Sequence, residues 1–219
     1  MLSHLDRSLF PARCEVIEVI PSQRYVYVIF KNGHSSFDSF KIINPCRIFI
    51  NQQIQKLNNI DVIIRTPDDR FSSGINTFIQ HTVRDNPELD PTTVEWFALN
   101  YLSLNRHYAS QFSWLLNLAR YLDSNTTLNF LPMSAVGDIT GFNRKPYGVQ
   151  PSSKELINQI NLLTHKEMYQ RIDAVIFGCI GQSMTFTKLL QHIKTVDSPA
   201  YEYVIGHAQQ ILNPTYALS

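Results

Sequence analysis

Arg24 to Phe30 (RYVYVIF) is a nearly unbroken run of apolar and aromatic residues. A strand with one wet face alternates polar and apolar residues. A run without that alternation needs cover on both faces, as a central parallel strand has. The segment therefore commits the chain to helices above and below a sheet. Cys46 to Ile50 (CRIFI) reads as a second, outer strand, and Ile60 to Ile64 (IDVII) as a third, apolar throughout. Leu128 to Met133 is a candidate fourth strand.

Helical signals fall between these runs. Phe37, Phe40 and Ile43 follow at helical spacing, and Asn44-Pro45 stops them. Thr66 can cap the next helix, Pro67 suits its first position, and Asp68 and Asp69 favour the positive end of its dipole. Phe71, Ile75, Phe78 and Ile79 then form one apolar stripe. Asp90-Pro91 opens a helix that buries Val94, Phe97, Tyr101 and Leu102. Another carries Phe112, Leu115, Leu116, Ala119 and Leu122. Ser152 and Glu155 form a capping box for Ser153 to Leu163. From Met184 onward the chain reads as two helical pieces broken near Ser198-Pro199. The alternation predicts one α/β domain over residues 1–219, a three-layer sandwich around a central parallel sheet with a helical C-terminal part.

Composition decides what kind of site to look for. With 44% hydrophobic and 17% charged residues, the 219-residue chain is an ordinary globular protein. A net charge of +1 supplies no global field for nucleic acid or an anionic membrane, so any anion site must be local. Cys14, Cys46 and Cys179 lack metal-ligand spacing and read as free thiols in a reducing compartment. Met1 to Phe10 lacks the apolar core of a signal peptide, and no stretch approaches the ~18 apolar residues of a membrane helix. A cytoplasmic protein is expected.

Two segments carry anion-binding chemistry. In the first, the apolar strand runs through Lys31 to Ser36 (KNGHSS) into a helix. That geometry converges backbone N–H groups on one spot and adds the helix dipole. Lys31 supplies charge, Ser35 and Ser36 supply hydroxyls, and Gly33 allows close backbone approach. The lysine precedes the glycine, so the nucleoside-triphosphate pattern G-x-x-x-x-G-K-[ST] is absent. In the second segment, Arg65 ends the buried strand Ile60–Ile64, at the edge where open parallel sheets bind ligands. Ser73 lies on the open face of the following helix, where it and Arg65 could grip one phosphate. Arg70 lies between them and is expected to pair with Asp68, Asp69 or the sheet edge rather than with ligand.

Together these segments resemble the sulfotransferases that use 3′-phosphoadenosine 5′-phosphosulfate (PAPS), more the carbohydrate branch than the cytosolic small-molecule branch. The family loop P-K-x-G-x-[ST]-[ST]-x is matched by Phe30-Lys31-Asn32-Gly33-His34-Ser35-Ser36-Phe37, with phenylalanine in place of proline. The family motif R-x-P-x-x-R-x-x-S is matched at every fixed position by Arg65 to Ser73. The resemblance covers about residues 24–80. It extends more weakly to Asn105 through Gln111, similar to an H-x-x-[PS]-Q stretch, and then fades.

The resemblance implies a P-loop-like fold, PAPS as co-substrate, no metal, and transfer of a sulfuryl group to a hydroxyl acceptor, with a glycan among the candidate acceptors. Lys31 would neutralise the bridging oxygen. Asn32, Gly33, His34, Ser35, Ser36 and Phe37 would cradle the 5′ end, the serines by their hydroxyls and the rest by backbone. Arg65 and Ser73 would hold the 3′-phosphate. Some branches place a catalytic histidine where this chain, between Asp38 and Asp61, has none. His107 is then the favoured base, with His34, Glu15, Glu18 and Asp38 as alternatives. His81 reads as solvated, and Arg144-Lys145 as a solvated turn. Trp96 and Trp114 could line a sugar site, though at helical spacing such residues are more often core. Two other readings stay open: an inactive nucleotide-binding module of the same fold, and a P-loop kinase-like phosphotransferase.

Overall fold

The computed structural model describes residues 14–20, 22–29, 32, 34–85, 90, 93, 109–141 and 163–212. In chain order the elements are β1 (Glu15–Val19), β2 (Arg24–Tyr27), α1 (His34–Ile43), β3 (Cys46–Ile50), a 3-10 helix (Asn51–Lys56), β4 (Asn59–Ile64), α2 (Pro67–Asp85), α3 (Gln111–Ala119), β5 (Thr127–Pro132), α4 (Ala135–Thr140), α5 (Leu163–Phe177), β6 (Ser183–Thr185), α6 (Phe186–Val196) and α7 (Ser198–Leu212).

The strands form one sheet in the order β3-β1-β2-β4-β5-β6. β2, β4 and β5 are mutually parallel, as the apolar runs predict. The sheet as a whole is mixed, which corrects the expectation of a parallel one. β1 pairs antiparallel with both β2 and β3, and β6 antiparallel with β5. The cause is loop length. Four residues separate β1 from β2, and a parallel crossover needs a dozen or more. The turn between them is closed by the Ser22 hydroxyl, which donates to the Val19 carbonyl at 2.9 Å, and by Gln23 in the left-handed region at φ 53°.

Helices flank both faces. On one, Phe37 and Phe40 of α1 and Val136 and Ile139 of α4 pack on Ile17, Val19, Val26 and Ile63. On the other, α3, α5, α6 and α7 contribute Phe112, Leu115, Ile172, Ile176, Ile193 and Val204 against Tyr27, Ile60, Val62, Ile64 and Phe130. Strand β4 thus sends alternate residues to the two faces. Asp61 breaks its apolar run. It accepts from Arg24 at 2.7 Å and from Asn129 at 3.0 Å, and Asn129 accepts from Ser183 at 2.7 Å. The reading of this strand as apolar throughout is corrected by that polar ladder across β2, β4, β5 and β6.

The C-terminal break is where the sequence places it. Asp197 accepts two bonds from the Arg171 guanidinium and one from the Ala200 N–H, and α7 begins at Ser198. Ser183–Thr185, expected to be helical from Met184, is instead a short edge strand. At the other predicted helix start, Asp90 accepts from the backbone and hydroxyl of Thr93. The predicted helical residues Val94 to Leu102, and the expected elements around Arg144-Lys145 and Ser152 to Leu162, lie outside the described residues. Among the described residues no helix is long and apolar enough to cross a membrane.

Candidate functional site

From β2 the chain passes through α1 to β3, on one side of the sheet order. From β4 it passes through α2 and α3 to β5, on the other. The order reverses between β2 and β4, and a crevice outside the carboxyl ends of such strands is where open α/β sheets bind ligands. Both segments singled out from sequence end there, one after β2 and the other after β4.

Asn32 follows β2 and is fully buried. Its backbone N–H donates to Ile29, which tightens the chain into a turn. Its side-chain amide donates to the Ile63 carbonyl at 2.8 Å and to Gln111 Oε1 at 2.7 Å. Asn32 therefore stitches the loop after β2 onto the end of β4. Arg65 is the first residue beyond β4, and it is half-buried. Its N–H donates to Gln111 Oε1 at 2.9 Å, and its carbonyl accepts from Gln111 Nε2 at 2.9 Å. Burial pulls the Arg65 guanidinium below its ordinary pKa, with Asp69 opposing. A partly desolvated cation gains more from an anionic ligand than one in bulk water.

Gln111 is itself positioned from the far side of the molecule. It is the first residue of α3, which Ser110 caps by accepting from the Ser113 N–H at 3.0 Å. The Gln111 and Phe112 N–H groups, free because they open the helix, donate to the two carboxylate oxygens of Asp173 on α5, at 2.9 and 3.2 Å. Asp173 is buried, and desolvation raises its carboxyl to about 6 despite the Arg70 cation and both N–H donors.

Arg70 is buried to 1% exposure and donates to the Ala109 carbonyl. Desolvation lowers it to about 10, with Asp173 opposing. Its burial and the bond to Ala109 give Arg70 a structural role. Asp68 accepts from Gln170 at 2.9 Å and Asp69 from the Thr66 hydroxyl at 2.6 Å. The carboxylate acting on Arg70 is Asp173, more distant in sequence.

The remaining expected site residues divide as follows. His34 and Ser35 form the first turn of α1, and Ser36 is buried beside them. The Phe37 side chain lies in the apolar core, so only its backbone is available to a ligand. Ser73 lies on α2, half-exposed, and its carbonyl accepts from Thr77 at 2.9 Å. Lys31, Gly33 and His107 lie outside the described residues, as does Phe30. Of the alternative bases, Glu15 pairs with Lys41 at 2.7 Å, Asp38 with the same lysine at 3.3 Å, and Glu18 with Arg47 at 3.5 Å. Trp114 is core.

Sequence reasoning missed Gln111 and Asp173 as site-building residues, and for Asn32 it used only the backbone. One signal was present for Asp173. Tyr169, Ile172, Asp173 and Ile176 share one helical stripe, so the aspartate stands at an apolar position. No family model matches the chain, and comparison with curated proteins and with solved structures finds no significant match.

Proposed function

We propose that this protein is a sulfotransferase that moves a sulfuryl group from PAPS to a hydroxyl acceptor, with a glycan as one candidate acceptor class. One observation carries the reading. The loop-to-helix segment matching the family's 5′-phosphosulfate motif and the Arg65-to-Ser73 segment matching its 3′-phosphate motif meet at one sheet switch point, joined through Asn32 and Gln111. The reading brings with it a P-loop-like assignment of the α/β core, with β2, β4 and β5 as the parallel strands.

The chemistry asks little beyond positioning and charge. The acceptor oxygen forms a bond to sulfur as the bond from sulfur to the 5′-phosphate oxygen breaks. The acceptor proton passes to a base, and 3′-phosphoadenosine 5′-phosphate (PAP) leaves. As in phosphoryl transfer, charge gathers on the leaving oxygen, where a fixed cation stabilises it. Lys31 is assigned that role and His107 the base. Arg65 and Ser73 hold the 3′-phosphate.

The test is a thermal-unfolding series with PAP, ADP, AMP and ATP at matched concentration. A ligand that binds only the folded state raises its stability. PAP should raise the midpoint well above the others. Equal shifts with PAP and ATP would remove the sulfotransferase reading and favour a kinase-like one.

A further inference from the structure

A glutamine at the start of a helix ordinarily faces water. Gln111 is fully buried, and its amide makes three hydrogen bonds to residues of the proposed donor site. Oε1 accepts from the Arg65 N–H and from Asn32 Nδ2, and Nε2 donates to the Arg65 carbonyl. Using both ends of an amide on one residue's N–H and C=O copies the way a neighbouring strand pairs with its partner. The side chain thus continues the sheet for one residue past the end of β4. That residue is the arginine assigned to the 3′-phosphate. The same Oε1 also holds the loop that follows β2.

Resting on the sulfotransferase reading, we infer that Gln111 is the positioning residue of the donor site: it fixes the backbone of Arg65, and so the reach of its guanidinium, and ties that arm to the loop meant for the 5′ end. Asparagine is one methylene too short to span these partners. Glutamate keeps the acceptor but loses the bond to the Arg65 carbonyl. Asp173 fixes the Gln111 backbone by taking its N–H, so the clamp is anchored to α5 through a buried carboxylate.

The inference predicts a change in specificity, beyond any loss of stability. PAP and AMP differ at the 3′-phosphate and are titrated calorimetrically into the full-length wild type, Gln111→Met and Gln111→Glu. Methionine keeps the volume and removes all three bonds. In Gln111→Met the preference for PAP over AMP should fall by about tenfold or more, the scale of one hydrogen bond to a charged group, and AMP itself should weaken because the loop meant for the 5′ end loses its tie to Gln111. Gln111→Glu should fall between the two, and it supplies the same readout if the methionine variant does not fold. Retention of the wild-type preference in a folded variant overturns the inference.

A second measurement separates this inference from the reading beneath it. Amide exchange at Arg65 should accelerate by about 100-fold in Gln111→Met, while exchange at Val62 is unchanged, because only the clamp's own bond is opened. If wild type fails to prefer PAP, the donor assignment falls and the exchange result alone judges the clamp. Unaltered protection at Arg65 would overturn it.

Discussion

Asp173 places a carboxylate where water is excluded and asks two helix N–H groups and Arg70 to stand in for solvent. They do so incompletely, since burial still raises the group from 3.8 to about 6. The sign of the consequence follows. The folded state holds this proton more tightly than the unfolded chain, so the group's stabilisation is full below about pH 4 and is lost as pH rises through about 6. The gap of roughly two pH units is worth about 3 kcal/mol at 1.36 kcal/mol each. Asp173→Asn cannot titrate, so its cost should be larger at pH 4 than at pH 7 by about that amount. Denaturant unfolding of both proteins from pH 4 to 7 reads this directly, and parallel curves would rule it out. Arg65 makes the complementary prediction for ligand. Arg65→Ala should weaken PAP by about 1.5–3 kcal/mol, as for a lost hydrogen bond to a charged group. Calorimetry showing unchanged PAP affinity would remove Arg65 from the site.

Among the elements, α1 both begins the proposed 5′ cradle and seals one face of the sheet. Phe37 stands at that junction. Its position in the motif implies a backbone contact only, and the structure puts its side chain at 1% exposure among Val26, Phe40 and Ile63. Phe37→Ala should cost about 3–5 kcal/mol of stability through the cavity it leaves. Where the variant remains folded, PAP affinity should change little. A variant of unchanged stability that loses PAP would show that the ring faces ligand instead. The hairpin of β1 and β2 fixes the neighbouring charges. Glu15 lies opposite Ile50 in β3, and Lys41 on α1 binds it. Lys41 also takes Asp38 within α1, so both carboxylates are already engaged, and the Glu15 pair is the one that ties α1 to the sheet.

Across the whole molecule, helices cover both faces of the sheet beside the ends of β2 and β4. α1 lies on one face, and the α3–α5 pair braces the end of β4 from the other through Gln111 and Asp173. If the proposed site performs sulfuryl transfer, the chemistry separates into independent losses. Lys31→Ala should lower turnover by about 10²-fold or more, as for one preorganised electrostatic donor, with a smaller loss of PAP binding. His107→Ala should lower turnover by about 10²–10⁴-fold, the general-base range, and remove an acid limb from the pH–rate profile. Steady-state kinetics with a competent acceptor distinguishes them. Full activity without His107 would place the base elsewhere, and loss of PAP binding with turnover retained would make Lys31 an anchor only.

The sequence by itself determined whatever depends on neighbours along the chain. The largely apolar runs of β2 and β4, the start of α2 at Pro67, the break near Ser198-Pro199 and the position of Arg65 at a strand's end are all written in short windows. There, periodicity and capping chemistry act locally. Tertiary structure alone decided which strands flank the parallel core, because strand pairing depends on which partner offers a matching face more than on intrinsic propensity. It alone joined Asn32, Arg65, Gln111 and Asp173, residues up to 141 positions apart. Asn32 and Gln111 each read in isolation as an ordinary polar residue. Only the exclusion of water around all four makes their hydrogen bonds obligatory, and exclusion of water is a property of the packed molecule.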